Sequence, residues 1–275
     1  MRRALLTLGL VAMLPAHAAD RDLQLPEHLQ QGQLVTGHAP KGAKIEFEGR
    51  RLLVGEDGVF VFGLGRDAPA AAKLHVRYSN GKAQDIVLAV AKREYDIERV
   101  NGLPQHTVTP NPELAKRIER ERERVAETRH RNDPREDFEA GFIDPVESAR
   151  ISGQWGRQRI DNGKPMTPHL GLDFAVPTGT PIRATAPGVV SLAEMGMVLN
   201  GGIVVLDHGH GVSTTTIHMS QIDVKPGQKV KQGDVVGLAG ATGRATGPHV
   251  HWAANWFDVP IDPALLPKAA EPDKQ

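Results

Sequence analysis

Short apolar runs with alternating polar positions dominate the chain from about residue 20 to residue 95. Segments such as Lys44-Ile-Glu-Phe-Glu48 and Lys73-Leu-His-Val-Arg-Tyr78 place apolar side chains at every second position. This period of two is typical of β-strands with one buried face. Turn residues such as Asn80-Gly81 separate the runs at short intervals, which is common in β-sandwiches. We therefore predict a small N-terminal β-sandwich-like module over residues 19–95.

The pattern changes between residues 96 and 150, where charged residues predominate. Asn111 suits a helix N-cap and Pro112 suits the first helical position. Glutamate and arginine then alternate around a thin apolar stripe that includes Ile118 and Val125. The spacing predicts a helix that is solvated and stabilised by charge pairs. We interpret this region as a linker with a charged helix.

Strand-like runs return between residues 151 and 267, with glycine or proline in every gap. Examples are Gly202-Ile-Val-Val-Leu-Asp207 and His249-Val-His-Trp-Ala253. Because no helical period is evident, we predict an antiparallel β domain with many tight turns. A short tail, residues 268–275, follows it. The predicted fold class is thus mostly β, with a helical linker between two β units.

The first residues have the features of a secretory signal peptide. Arg2 and Arg3 precede an apolar run over residues 4–14, and Ala16-His-Ala18 has the small-x-small pattern of a cleavage site. We expect residues 1–18 to be removed on export. The apolar run is too short to span a bilayer, and no second long one follows. We therefore expect no stable membrane insertion.

Composition narrows the possible partners and metal ligands. The 33 basic residues are balanced by 33 acidic residues, which argues against nucleic acid as a partner. The chain contains no cysteine, so disulfides and thiolate zinc sites are excluded. Any bound metal must use histidine and carboxylate ligands.

Histidines and one aspartate form a candidate metal centre in the second β unit. His249 and His251 are two residues apart, so on a strand both imidazoles point to one face. His169 and Asp173 are four apart, which is about 13 Å in a straight strand, so we expect a bend at Gly171.

His218 lies between these motifs, at the end of a predicted strand. The four imidazoles and one carboxylate suffice for three zinc ligands and two proton-handling groups. His208 and His210 lie in an obvious turn, and we predict that they are exposed and non-catalytic.

These motifs resemble those of the lysostaphin-type (LytM-type) zinc metallopeptidases. The resemblance covers residues 150–265 and includes His169-x-x-x-Asp173, Ile217-His218 and the approach Thr242-Gly-Arg-Ala-Thr-Gly-Pro-His249-Val-His251. It implies a compact antiparallel β domain with a groove that hydrolyses peptide bonds of peptidoglycan.

Carried over by position, the resemblance implies one Zn²⁺ per chain, bound by His169, Asp173 and His251. It implies that His218 and His249 form the catalytic pair. One acts as general base while the other stabilises the oxyanion, and the sequence leaves their order open. Relatives often have an aromatic residue two positions before the lone histidine, whereas this chain has Thr216 there.

An exported enzyme of this class is expected in the periplasm, with a stem-peptide cross-link as its target. One alternative is a non-catalytic relative that binds peptidoglycan or activates an amidase. All five positions that the resemblance assigns to metal ligands and catalytic histidines are filled in this chain, which favours the enzyme. A biotinyl- or lipoyl-carrier-like domain is disfavoured because no lysine flanked by Met or Ala lies at an expected hairpin tip. An acyltransferase using His169-x-x-x-Asp173 leaves the His249-Val-His251 motif unexplained.

Overall fold

The computed structural model describes residues 23–270, so the predicted signal peptide and the last five residues lie outside the described part of the chain. The first part, up to residue 95, consists of strands. They are β1 (Leu29–Gln30), β2 (Leu34–His38), β3 (Lys44–Phe47), β4 (Arg50–Arg51), β5 (Val59–Gly63), β6 (Ala71–Arg77) and β7 (Ala83–Ala91).

These seven strands form a five-stranded sheet, ordered β1-β7-β6-β3-β4, and the antiparallel pair β2-β5. Their inward positions are apolar: Ile45 and Leu74 are buried, as are Phe60 and Phe62. Phe47 stacks on Phe62 with ring centroids 4.2 Å apart. The alternation seen in the sequence thus gives each sheet one face that packs into a shared core.

One more strand and two helices precede the second β unit. They are β8 (Ile97–Val100), α1 (Gln105–Val108) and α2 (Pro112–Arg129). Strand β8 pairs in parallel with a strand of the second unit, residues Gln158–Asp161. The segment directly after residue 95 is therefore part of that unit's hydrogen bonding. The domain boundaries proposed at residues 95 and 150 stay predictions.

Helix α2 begins where the sequence predicts. The Asn111 side chain accepts a hydrogen bond from the Leu114 amide at 2.8 Å, and Pro112 occupies the first turn. The helix is solvated on one side only, because Ile118 and Val125 of the apolar stripe are buried together with Glu121. Among residues 23–270, no helix is both long and apolar enough to cross a membrane.

The second unit contains thirteen further strands and two 3-10 helices, Asp137–Ala140 and Pro263–Leu265. The strands are β9 (Arg150–Gly153), β10 (Gln158–Asp161), β11 (Lys164–Pro165), β12 (Leu172–Ala175), β13 (Pro181–Arg183), β14 (Gly188–Met197), β15 (Gly201–Asp207), β16 (Val212–Met219), β17 (Gln221–Ile222), β18 (Lys229–Val230), β19 (Val235–Leu238), β20 (His249–Trp256) and β21 (Val259–Ile261).

An antiparallel sheet ordered β18-β14-β15-β16-β20-β12-β9 carries the candidate site, and β21 pairs with β20 at one end. Two three-stranded sheets flank it, β13-β19-β17 and β11-β10-β8. On β20, Val250 and Trp252 are fully buried, as the sequence predicts. The alternate residues, His249 and His251, therefore lie on the opposite face of the sheet. The mostly β fold class is confirmed.

Candidate metal centre and active site

Strand pairing brings three of the predicted site residues together. Asp173 on β12 lies directly opposite His251 on β20 in the antiparallel ladder. His169 lies in the loop that precedes β12, anchored because its amide donates to the Arg157 carbonyl at 2.8 Å. The sheet therefore supplies two of the three side chains and the loop supplies the third.

Donor atoms of these three side chains converge on one point. His169 Nε2 lies 3.1 Å from Asp173 Oδ1 and 2.9 Å from His251 Nδ1. His251 Nδ1 lies 2.8 Å from the same Asp173 Oδ1. Two atoms that bind one tetrahedral zinc ion at about 2.0–2.2 Å are about 3.3 Å apart. The triangle is thus close to the size that a metal ion requires, and the three residues fit one.

A backbone contact fixes the ring of His169. Its Nδ1 lies 3.0 Å from the Gln154 carbonyl oxygen, which can only accept a hydrogen bond, so Nδ1 carries the proton. Nε2 then presents its lone pair towards Asp173 and His251. A hydrogen bond from the ring nitrogen that faces away from the metal is what orients metal-binding histidines in proteins.

Two charged residues support Asp173 from the other side. Arg159 donates from Nη2 to Asp173 Oδ2 at 3.0 Å, and from Nε to Glu98 Oε2 at 3.1 Å. Burial alone would raise the pKa of Asp173, but its close contacts with the rings of His169 and His251 hold it well below its ordinary value. The carboxylate is therefore ionised at neutral pH and can act as a metal ligand.

Glycine is required at two positions because ring atoms and carboxylate oxygens approach the backbone closely. A Cβ at residue 171 would lie 2.4 Å from His251 Nε2, and one at residue 153 would lie 2.3 Å from Asp173 Oδ2. Gly171 is not among the glycines in the left-handed region. Its role is therefore to leave space for the His251 ring, whereas the sequence suggested a role in bending the chain.

His218 reaches the site through a β-bulge. Gly202 pairs with Met219 and Ile203 pairs with Ile217, so His218 is the extra residue between two ladder positions. It adopts a left-handed φ of 67°, which is rare for a residue other than glycine and concentrates at functional sites. A bulge redirects a side chain, and here the His218 ring lies 4.6 Å from that of His249, centroid to centroid.

His218 and His249 each have Nδ1 bonded to a carbonyl oxygen. His218 Nδ1 lies 2.8 Å from the Thr242 oxygen, and His249 Nδ1 lies 2.8 Å from the Gly247 oxygen. Both rings therefore keep Nε2 free as a proton acceptor when neutral. His249 Nε2 lies 4.0 Å from Asp173 Oδ1, which places it beside the candidate metal position.

Burial keeps the imidazole of His218 in its neutral form at neutral pH. Burial first, and then the neighbouring His249 and His251, lower the pKa of His218 to about 3. Burial lowers the pKa of His251 to about 4. Both imidazoles are neutral at pH 7, so His251 has a lone pair available for a metal.

A cavity of about 240 Å³ opens over this group of residues. We call it the catalytic cavity. Its polar walls include Glu98, Arg159, Asp173, His218, Arg244 and His249. All five residues proposed from the sequence thus lie together, three in mutual contact and two beside them.

The other histidine pair differs from its prediction. His208 and His210 are buried, at 0% and 4% exposure, so the expectation that they are exposed is wrong. His208 Nδ1 bonds to the Pro187 carbonyl oxygen at 2.6 Å, and its Nε2 bonds to Thr214 Oγ1 at 2.8 Å. His208 and His210 are therefore part of the packed interior and are not solvated side chains of a turn.

Sequence reasoning missed Arg159, which donates to the outer oxygen of Asp173, and Glu98, which accepts a hydrogen bond from Arg159. Neither has a distinctive motif, because the contact depends on the parallel pairing of β8 with β10. The backbone carbonyls that orient the histidines likewise have no signal in the sequence.

An antiparallel sheet that presents two imidazoles and a carboxylate in contact defines a candidate metal centre of the type that metallopeptidases use. The sequence profile of peptidase family M23 matches residues 167–263. A crystal structure from Pseudomonas aeruginosa assigned to M23 peptidases is 33% identical, with a TM-score of 0.67, and the match covers 86% of this chain and 93% of that one. The chain therefore belongs to peptidase family M23, and the predicted resemblance is confirmed.

Curated relatives match over part of the chain. The peptidoglycan DD-endopeptidase ShyA of Vibrio cholerae is 44% identical over 110 residues, which are 39% of this chain and 25% of the relative. The DD-carboxypeptidase/endopeptidase Mpg of Neisseria meningitidis is 36% identical over 140 residues, which are 49% of this chain and 32% of the relative. The matched segment spans about a quarter to a third of the length of these relatives.

Proposed function

We propose that the protein is a zinc-dependent endopeptidase that hydrolyses peptide cross-links of peptidoglycan. The observation that carries this proposal is the convergence of His169 Nε2, Asp173 Oδ1 and His251 Nδ1 within 3.1 Å of one another. Two imidazoles and one carboxylate leave a fourth position open, as hydrolytic zinc sites require.

One Zn²⁺ held by these residues would supply Lewis acidity and lower the pKa of a water molecule in its fourth position to about 7. Asp173 contributes one negative charge, so the centre keeps a net positive charge. Arg159 holds the carboxylate in place through Oδ2 and leaves Oδ1 directed at the two imidazoles.

His249 and His218 handle protons in this mechanism. His249 Nε2 lies beside the candidate metal position, and it accepts a proton from the attacking water and later delivers it to the leaving amine. His218 lies one ring farther away; it is neutral at rest, and it donates a hydrogen bond to the oxyanion after it takes up a proton as the negative charge develops. The assignment of these two roles is part of the proposal.

The substrate class is supported by the relatives, which are named as peptidoglycan DD-endopeptidases and as a DD-carboxypeptidase/endopeptidase. We propose a D,D-linked stem-peptide cross-link as the target. We also propose that residues 1–18 direct export to the periplasm. Cell fractionation of the full chain and of a variant without these residues tests the location, since only the full chain should enter the periplasmic fraction.

Digestion of purified peptidoglycan tests the proposed activity. Zinc-loaded protein should convert cross-linked dimers to monomers in a muropeptide mass spectrum, and the chelated protein should not. Equal digestion with and without chelator would contradict the zinc mechanism. A protein that binds peptidoglycan, releases no monomer and contains no zinc would instead support the non-catalytic relative.

A further inference from the structure

A second cavity is lined by His251, one of the three residues of the candidate metal centre. It has a volume of about 180 Å³, and helix α2 forms part of its wall through Val125 and Arg129. We call it the helix-covered cavity. His251 and Leu170 form its boundary towards the metal centre, and the inner face of β16 and β20 forms its floor. The helix-covered cavity thus borders the candidate metal centre through the His251 side chain.

Arg129 introduces a charge where the helix pattern predicts an apolar contact. The sheet-facing stripe of α2 runs through Ile118, Glu121, Val125 and then Arg129 at helical spacing. Glu121 is buried but paired, since it accepts hydrogen bonds from Arg117 Nε and the Val198 amide, both at 2.8 Å. The first charged residue of the stripe is therefore satisfied by the protein itself.

Arg129 has no equivalent partner. Within residues 23–270 its guanidinium forms no ion pair, and its Nε is buried without a hydrogen bond. Asp258 is the carboxylate that influences it electrostatically, and burial lowers the pKa of Arg129. An arginine stays protonated at neutral pH even so. Arg129 as a whole is half-buried, but a cation whose guanidinium Nε is buried without a partner is costly, so the cavity is suited to an anion.

Other polar groups in the cavity complement an anionic ligand. Thr215 Oγ1 is buried without a hydrogen-bond partner among the described residues. Asn200 and Asn255 also line the cavity, while Ile203, Ile217 and Pro260 contribute apolar walls. One cation with a hydroxyl group and amides matches a singly charged carboxylate better than a doubly charged phosphate.

We infer that the helix-covered cavity binds a carboxylate of the substrate peptide through Arg129, next to the scissile bond. This inference rests on the proposed function, because it assigns a specificity determinant to that reaction. Since His251 belongs to the candidate metal centre and also lines the cavity that contains Arg129, a peptide held at that centre lies next to the cavity. Helix α2 is then part of the substrate site and not only a connection between the two β units.

Matched substrates test this inference. We compare D,D-linked peptides that are identical except that the carboxylate beside the scissile amide is free or amidated. The wild-type protein should prefer the free acid, and Arg129→Gln should reduce kcat/KM for the acid about 10- to 100-fold, mainly through KM. The amide should be affected little. Arg129→Lys should retain part of the preference.

Arg120→Gln is the control, because Arg120 lies on the same helix, is exposed and changes the net charge equally. Melting temperature and zinc content exclude a folding defect in each variant. An unchanged acid-to-amide ratio in a folded Arg129→Gln protein would overturn the inference.

A binding measurement separates this inference from the proposed function. N-acetyl-D-alanyl-D-alanine and its amide are titrated into the zinc-loaded full chain and followed by NMR. The acid should bind at least about tenfold more tightly, and Arg129→Gln should remove the difference. If neither cross-linked peptide is cleaved but this preference exists, the function fails and the carboxylate site stands. Equal binding of acid and amide overturns the site.

Discussion

Two pairs of histidines in the second β unit illustrate how different contacts define different roles. At the candidate metal centre, ring nitrogens of His169 and His251 face each other and a carboxylate at 2.8–3.1 Å. At the other pair, His208 has a carbonyl acceptor on one nitrogen and a hydroxyl donor on the other. The first arrangement brings lone pairs together, whereas both ring nitrogens of His208 contact a complementary group.

Burial does not distinguish the two pairs. His169 and His208 are exposed by 2% and 0%, and burial lowers the pKa of both His251 and His208 to about 4. The difference lies in what each lone pair contacts, because converging acceptors repel one another unless a cation or proton lies between them. The atoms that the ring nitrogens contact, and not burial or a shifted pKa, therefore identify the pair of histidines that can bind a metal.

Removing a ligand of the first pair should have the largest effect. His169→Ala, Asp173→Ala or His251→Ala should lose zinc and lower kcat/KM at least about a thousandfold, because the lost Lewis acid contributes several kcal/mol. Elemental analysis of the dialysed protein and peptide cleavage assays measure both effects. A variant that keeps one zinc per chain would remove that residue from the ligand set.

Substituting the proton-handling residues should separate catalysis from metal binding. His249→Asn and His218→Asn should keep zinc, while kcat falls about 10²- to 10⁴-fold. Asparagine is chosen because it tolerates the left-handed backbone of His218. If kcat is unchanged in either folded variant, that histidine has no role in proton transfer.

Removing the hydrogen bond from Arg159 to Asp173 should have an intermediate effect, on zinc affinity. Arg159→Gln removes the hydrogen bond to Oδ2 and should weaken zinc affinity about 10- to 100-fold. Competition with a fluorescent chelator measures the affinity. Arg150→Gln is the matched control, because Arg150 is exposed on β9 and changes the charge equally. Equal affinities in the two variants would contradict the role of Arg159.

The His208 pair should affect stability and not activity. Burial lowers the pKa of His208 to about 4, whereas an unfolded histidine titrates near 6.5. The unfolded chain therefore gains the proton first as pH falls, and stability is lost between about pH 6.5 and pH 4. Above pH 6.5 this contribution is complete.

Comparison with His208→Gln isolates the contribution of His208 to the pH dependence of stability. Between pH 7 and pH 4.5 the free energy of unfolding of the wild type should fall by about 2–3 kcal/mol more than that of the variant. Urea unfolding at the two pH values measures it, and zinc content and kcat should match the wild type. A variant with wild-type pH dependence would show that His208 does not titrate as described.

Local signals in the sequence predict the elements well. Asn111 and Pro112 mark the start of α2 because capping depends on neighbouring residues only. The alternation in His249-Val-His-Trp predicts which side chains of β20 are buried, because the strand period is two. The ligand motif and the fold class follow from such patterns and from the resemblance to a known family.

Features that depend on pairing between distant segments could not be predicted. The bulge that turns His218 towards His249 exists only in the register between β15 and β16. The burial of His208 depends on Pro187, 21 residues away in sequence. Arg129 looks like one more charge on a solvated helix until α2 is placed against the sheet.

Anomalous diffraction at the zinc absorption edge tests the central claim most directly. Crystals of the zinc-loaded protein should show one peak per chain at bonding distance from His169 Nε2, Asp173 Oδ1 and His251 Nδ1, with none at His208. A peak elsewhere, or no peak among these three side chains in a zinc-containing and active protein, would contradict the account.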